Sequence, residues 1–421
     1  MKISIIILVF FSILLSDSQA QSKKVREKFF DDAEYFFKRE EYQEALYQYK
    51  MAMGKDSLNA LLNYKIGETY LQIPGQETMA IPYLELASES IEFDVKFNNF
   101  EEQHAPLHTL FYLGNAYRLA NEPQKALEVY ARFTDHPDYY DNYNLEIVET
   151  EIAAVERAKI IKDRPVNYQF INLGAPVNTK AKESYPVISG NGNVLVFVRE
   201  LAFYSALFFT TKTDQGWSEP VNITPEVGSD GDAYPTALSF DGSELYLISS
   251  REGNANIYRS KFNNGKWDIM KTISDNINSR KNETSACISA DGKVLYFSSD
   301  KKSRNGYDIY QSNLVENEWS EPESISEIIN SDMDETDPYI TADGNTLYFS
   351  SNGHYNMGKK DIFIAEKDNS GWKLPKNAGY PLNTTNNNEN FVPLSGGEGG
   401  YISRFTEAQS ENEDIYFVKF P

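Results

Sequence analysis

The chain of 421 residues contains one cysteine, Cys287, and four histidines, His104, His108, His136 and His354. A single thiol excludes an internal disulfide, so the fold must be held by its core rather than by covalent staples. His104 and His108 have the i, i+4 spacing of a metal pair, but Pro106 stands between them and no third ligand is fixed by the sequence. They read as helix-start residues. Basic side chains are also scarce, with 40 Lys and Arg against 62 Asp and Glu, a net charge of -22. Residues 21–164 hold 17 basic and 26 acidic side chains (-9) and residues 165–421 carry -13. Neither part offers the basic stripe that nucleic acid or anionic lipid requires. The sequence has no Gly-x-Ser-x-Gly elbow, phosphate loop or zincin helix. These absences nominate no catalytic, cofactor-binding or metal-binding residue, and the expectation is a protein that is not an enzyme and needs no cofactor.

Long apolar runs are absent too, except at the start. Lys2, the run Ile3 to Leu15, and the small residues of Ser18-Gln19-Ala20 form the pattern of a secretory signal peptide, residues 1–20, cleaved before Gln21. No later segment approaches the length of a membrane span. No cysteine follows at a lipoprotein position, so the expectation is a periplasmic protein without a lipid anchor, associated with the outer membrane through its partners.

What the chain does have is repetition. Residues 23–162 are poor in Gly and Pro, and apolar residues recur at helical spacing. Leu113-Gly114-Asn115-Ala116-Tyr117 followed by Ala126, Tyr130 and Phe133 has the spacing of a tetratricopeptide repeat. Phe29, Ala33, Phe36, Tyr42, Ala45, Tyr49 and Ala52 form an earlier copy, and Ile66-Gly67, Tyr70, Ala80, Leu84 and Ala87 a middle one. Small residues at these points let paired helices approach closely while aromatics fill the gaps. Residues 147–161 read as a capping helix, which gives a helical domain over 21–164.

Beyond Pro165 the period changes. The four tryptophans, Trp217, Trp267, Trp319 and Trp372, are spaced by 50, 52 and 53 residues. Asn191-Gly192, Asp241-Gly242, Asp291-Gly292 and Asp343-Gly344 keep step with them, as do Asn256-Ile257-Tyr258, Asp308-Ile309-Tyr310, Asp361-Ile362-Phe363 and Asp414-Ile415-Tyr416. Short strands and turn signals at this period predict a β-propeller over 165–421 with five blades. The Asp-Gly pairs are expected in type I′ hairpin turns. Trp372 to Pro375 is expected to form an outer edge strand, and the tryptophans to fill the space between blades. The last unit stops at Pro421 without a Trp-bearing strand, and Tyr168 to Leu173 is expected to supply it, closing the ring. The whole is an α+β multidomain chain, an α-solenoid followed by an all-β propeller.

Tyr234 to Gly242, followed by Leu245 to Arg251, resembles the WD40-like repeat of TolB-type propellers, a resemblance that extends over about 250 residues. It departs in the first unit, where Val196 to Glu200 and the apolar run Leu201 to Phe209 replace the usual residues. An exported tetratricopeptide array joined to such a propeller is similar to the N-terminal part of envelope proteins of Bacteroidota, including the PorE type of the type IX secretion system. Those proteins continue into a carboxypeptidase-regulatory-like and an OmpA-like domain. Neither module is in this sequence, so peptidoglycan anchoring is not expected. Asp56-Ser57-Leu58 also matches the short O-glycosylation pattern of that phylum.

The resemblance implies a non-enzymatic periplasmic scaffold that joins protein partners in the envelope, around a secretion or gliding complex. The alternative is a five-bladed propeller that binds or cleaves glycans, which would need two or three inward acids about 5 to 10 Å apart. Glu183, Glu283, Glu335 and Glu389 recur at one phase and read instead as a structural ring where the blades begin. The acidic run Asp332, Asp334, Glu335 and Asp337 lacks the glycine and terminal Glu of an EF-hand and reads as a solvated loop between blades, with calcium binding left open.

Overall fold

The computed structural model describes residues 23–301, 306–405 and 412–421. The signal segment 1–20 and the cleavage point before Gln21 lie outside them. The described residues form two compact units, divided between Ile152 and Ala153. Composition changes after Arg164, but the division falls earlier, inside the helix Leu145–Lys162. The side chains at the end of that helix account for the offset. Arg157 donates to the backbone oxygen and Oδ1 of Asn356 at 2.7 and 2.6 Å, and the Lys162 ammonium lies 5.8 Å from the Tyr380 ring centre.

In the first unit, helices pair in sequence: 23–38 with Tyr42–Met53, Ala60–Tyr70 with Ile81–Ala87, and Thr109–Leu119 with Pro123–Thr134. The side chain of Asn59 caps the third of these helices by accepting from Leu62 N at 2.8 Å. The two repeat glycines sit where helices cross most closely. A Cβ on Gly67 would fall 2.5 Å from Leu84 Cγ, and one on Gly114 2.3 Å from Tyr130 Cε1. Between Ala87 and Thr109 lies a helix-free insertion that the repeat reading did not anticipate. Phe93, Phe97 and Phe100 in it have helical spacing, but Asp94 and Asn98-Asn99 favour turns. Only Ile91–Glu92 and Ala105–Pro106 pair there, as a short parallel ladder.

The second unit is a five-bladed propeller in which the sheets of blades one to four run inside to outside in chain order. Blade one comprises Glu183–Ile188, Val194–Glu200 and Ser205–Thr213; blade two Tyr234–Leu238, Glu244–Ser249 and Asn256–Asn263. Blade three comprises Glu283–Ile288, Val294–Ser299 and Asp308–Val315; blade four Glu335–Ile340, Thr346–Ser351 and Asp361–Asp368. Blade five has Val392–Pro393, Gly399–Phe405 and Glu413–Lys419, and its outer strand is Gln169–Asn172, paired antiparallel from Lys419↔Gln169 to Tyr416↔Asn172. The closing strand expected at 168–173 is therefore in place.

Blade one, the most divergent in sequence, pairs without a break from Val194↔Thr211 to Glu200↔Ser205.

The turns differ from expectation. Gly192, Gly242, Gly292 and Gly344 have φ between 71 and 77°, whereas the preceding Asn or Asp does not have positive φ. A type I′ turn needs both positive. Here Ser189, Ser239, Ser289 and Thr341 donate their hydroxyls to that Asn or Asp at 2.6–2.8 Å. The glycine amide returns to the carbonyl of the same Ser or Thr, as in Gly242 N to Ser239 O at 3.0 Å. This is a type I turn closed by a left-handed glycine.

The outer edge also differs. In blade four it breaks into Gly371–Trp372 and Lys376–Asn377, with Pro375, which has no amide to donate, between them. The tryptophans fill inter-blade cores as expected: Trp267 packs with Val187, Leu207 and Leu245, Trp319 with Ile248 and Phe297, and Trp372 with Ile340 and Phe349. Tyr168 and Phe170 occupy that place between blades four and five.

One contact repeats around the ring. Asn278 accepts from the amide of Ile257 and donates to its carbonyl, both at 2.9 Å. Asn330 clasps Ile309 (2.8 and 2.9 Å), Asn383 clasps Ile362 (2.8 and 2.8 Å) and Asn178 clasps Ile415 (3.0 and 2.9 Å) in the same way. These isoleucines are the middle residues of the Asp-Ile-Tyr repeat. Blade one departs: Leu207 N donates to Thr224 Oγ1 at 2.8 Å instead.

The close helix crossing makes a stability prediction. Helix propensity alone would favour Ala over Gly by about 1 kcal/mol, but overpacking costs about 1–3 kcal/mol. Gly114→Ala is therefore expected to destabilise the chain in urea unfolding, and a variant at least as stable as the parent would contradict the crossing.

Candidate functional site

The inner strands of all five blades converge on a channel lined by Tyr185–Val187, Tyr234–Thr236, Thr284–Ala286, Asp337–Tyr339 and Asn390–Val392. Hydrogen bonds between neighbouring blades draw it shut. Tyr234 OH donates to Thr284 O at 2.9 Å, Ala286 N to Thr236 Oγ1 at 2.7 Å, and Asp337 N to Ser285 Oγ at 2.9 Å. The Tyr185 and Tyr234 rings lie 5.0 Å apart. Free space within is about 30 Å³, roughly the share of one water in the liquid. Small-molecule pockets run from about 300 Å³ upward, so the channel does not enclose a sugar.

Around its mouth stands the acidic ring expected from the repeat, with one member changed. Glu183, Glu283 and Glu335 are fully buried. Each accepts from the amide and hydroxyl of the residue four places earlier, Thr179 (3.1 and 2.7 Å), Ser279 (3.2 and 2.9 Å) and Ser331 (2.7 and 2.7 Å). Ser299 and Ser351 add a third donor to Glu283 and Glu335, and Arg199 Nε does so for Glu183 at 2.6 Å. Burial pushes the carboxyl groups of Glu283 and Glu335 above the usual range, against these hydrogen bonds. In blade five the position belongs to Asn388, which accepts from Thr384 N at 2.7 Å. In blade two Asp232 accepts from Ser249 Oγ and Ser250 N.

Glu389 is thus not a ring member: the ring position of blade five falls on Asn388, in step with the other blades, and Glu389 is the residue after it. Its carboxylate lies 3.8 Å from Lys360 Nζ and keeps 34% of its side-chain surface exposed. Burial, then the Asp337 charge, raises its pKa to about 7 against the pull of Lys360, with Glu413 adding to the rise. Glu413 is itself raised by burial, accepts from Ser403 Oγ at 2.7 Å and lies 3.6 Å from Lys182 Nζ. The channel mouth therefore gathers Asp337, Glu389 and Glu413 near Lys360 and Lys182, which also face Asp334 at 3.9 Å and Glu200 at 3.6 Å. Phe203, at the tip of the blade-one hairpin, is 97% exposed.

The other sequence candidates separate. Asp332 is exposed, Asp334 accepts from Tyr307 N at 3.0 Å, Glu335 is in the ring and Asp337 is at the channel. Among the described residues no group of three or more His, Cys, Asp or Glu side chains is placed to hold a metal ion. His104 lies 3.1 Å from Glu102 and His108 3.0 Å from Tyr64 OH, so the i, i+4 pair does not converge. His136 lies 3.6 Å from Asp138, and His354 contacts Ile329 O at 2.8 Å. Cys287 is buried in the inner strand of blade three, and burial pushes its thiol up to about 12.

The helical unit has a second candidate surface. The helices 23–38, Tyr42–Met53 and Ala60–Tyr70 share a polar stripe. Lys65 Nζ meets Glu34 Oε1 at 2.7 Å, Tyr49 OH donates to Glu34 at 2.6 Å, and Tyr64 OH donates to Glu68 at 2.8 Å. Burial, helped by the Lys65 charge, lowers His108 to about 4, so its imidazole is neutral at pH 7. Residues 88–108 lie across this face.

Neither a protein-family model nor a curated protein sequence matches the chain. Solved structures do. The chain is similar to TolB from Acinetobacter baumannii at 13% identity and a TM-score of 0.37, over 66% of this chain and 71% of that one. It is similar to a putative TolB from Agrobacterium tumefaciens at 14% identity and a TM-score of 0.37, over 61% and 99%. A thermostable family-43 glycoside hydrolase matches at 14% identity and a TM-score of 0.41, over 59% and 91%. The likeness is one of fold.

Glu389 gives a pH prediction. Its folded pKa lies above the unfolded value, so the folded state holds the proton more tightly and stability falls as pH rises from about 4.5 to about 7. Glu389→Gln should raise the melting temperature at pH 8 and leave it unchanged below pH about 4. Melting curves that differ by the same amount at every pH would contradict this placement.

Proposed function

We propose that the protein is a non-enzymatic scaffold of the cell envelope, exported by its N-terminal segment, with a helical unit and a propeller that each engage protein partners. The observation that carries the reading is the closed channel: its acids serve hydrogen bonds that hold the blades, and its interior has room for little more than a water. Binding then falls to loop-built surfaces. Such surfaces occur on tetratricopeptide arrays and TolB-like propellers, and the sequence resemblance supports partners around a type IX secretion or gliding complex as the reading. Charges of -9 and -13 on the two parts steer towards partners rich in Lys and Arg. No helix among the described residues is long and apolar enough to cross a membrane.

One observation favours the alternative. Glu389, with a pKa raised to about 7 at the channel mouth, has the protonation behaviour of a general acid. A glycan lying across the mouth, outside the channel, is the form that a glycan-binding or glycan-cleaving propeller would take here.

Affinity capture from native envelopes separates the two. The full chain is expected to retain a protein partner at about 50 mM salt and to release it near 0.5 M, where screening shortens electrostatic reach. Release of oligosaccharide from envelope polysaccharide, lost on Glu389→Gln, would overturn the scaffold reading.

A further inference from the structure

We propose that residues 93–104 are a tethered occupant of the helical unit's binding face, and that a partner docks there by displacing them. That partner presents an extended segment with two aromatic side chains three residues apart followed by carboxylates. The biological setting rests on the scaffold reading, but the contacts and their test do not.

The segment touches the helices as a docked peptide would. Phe100 packs on Phe30 at 6.0 Å under the Arg26 guanidinium, 5.4 Å from its ring centre. Phe97 stacks on His108 at 5.7 Å and 17°, meets Tyr64 at 6.3 Å, and lies 5.8 Å from Lys65 Nζ. Glu101 pairs with Lys23. The backbone is read as well: Asn59 Nδ2 donates to Glu102 O at 2.9 Å, and Ala60 N, at the start of its helix, donates to Gln103 O at 3.2 Å. Two aromatic slots, each topped by a cation, with a third cation, one side-chain amide donor and one backbone donor, define the chemistry of the occupant.

The segment is held weakly by comparison with the helices it covers. Val95 is its one buried residue, and Phe93 and Phe97 remain 45% and 37% exposed. Its own backbone hydrogen bonds are local turns, such as Asn99 N to Lys96 O and Glu102 N to Asn99 O, both at 3.0 Å. Few buried contacts and local bonding mark a segment that opens at low free energy. It also leaves part of the face unfilled: beside Phe100 and Glu101 runs a cleft of about 490 Å³, walled by Lys23, Arg26, Asp56 and Asn59. That volume accommodates side chains the tether does not supply.

The test uses a labelled synthetic peptide with the sequence of residues 92–104, titrated onto the full chain. A tether holds its segment at an effective concentration in the millimolar range, so the unmodified chain should bind the peptide poorly. The full-length variant Phe97→Ala/Phe100→Ala should bind it at least ten-fold more tightly, and a peptide with both phenylalanines replaced by alanine should not bind. Equal affinity for parent and variant, or for the two peptides, would overturn the proposal. Should the variant lose its helical circular dichroism, a full chain with a protease site between Asn98 and Asn99 gives the same readout. A ten-fold gain on cleavage supports the tethered occupant, and no gain overturns it. No envelope component enters the assay, so a negative result sinks this inference alone, whereas failure to capture an envelope partner bears on the scaffold reading alone.

Discussion

The propeller depends on a two-part clasp that joins neighbouring blades at four of the five junctions, blade one to blade two being the exception. An asparagine takes both backbone groups of the central isoleucine in the third strand, as Asn330 does with Ile309. The next residue, Ser331, then gives its amide and hydroxyl to the buried Glu335 that starts the following blade. Both halves are buried polar groups that would be costly unpaired, so the clasp fixes where one blade ends and its neighbour begins. Closure of the ring uses the same device across the ends of the chain. Asn178 clasps Ile415, while Thr179 binds Glu183 of blade one. The closing strand and the first blade are thereby set by one linker.

The same clasp explains why acids at the channel are poor evidence of catalysis. Carboxylates recurring at one phase of a propeller look like a funnel of catalytic groups, yet three of them face backwards into the loop that precedes their strand. What remains at the mouth is the unrepeated cluster of Asp337, Glu389 and Glu413 with Lys182 and Lys360. Non-repetition is the useful signal. Groups that follow the period hold the ring together, and groups that break it, including Phe203 on the blade-one hairpin and the insertion in the helical unit, are free to vary with function.

Much of the propeller was legible because its determinants are local and repeated five times. The tryptophan spacing gave the blades, and the missing outer strand of the last unit pointed to Gln169–Asn172. The turn type was misread because an Asp-Gly pair suits two geometries, and the choice is made by the Ser or Thr two residues before the Asp. Glu389 lies off the ring because blade five carries Asn388 at the ring position, and the carboxylate beside it in the sequence mimics the repeat one residue late. The insertion at 88–108 escaped notice for a different reason: its phenylalanines keep helical spacing while its Asp and Asn residues break the helix. The boundary between the units was hidden because Arg157 and Lys162 look like ordinary helix-end cations and their partners lie about 200 residues away.

Ring closure is the central claim, and amide hydrogen exchange tests it directly. The account predicts that the amides of Gln169–Asn172 are protected together with those of Glu413–Lys419, because the two strands form one ladder. Exchange of residues 169–172 at the rate of an open chain, while Gly399–Phe405 stays protected, would show a ring that is not closed by its N-terminal strand.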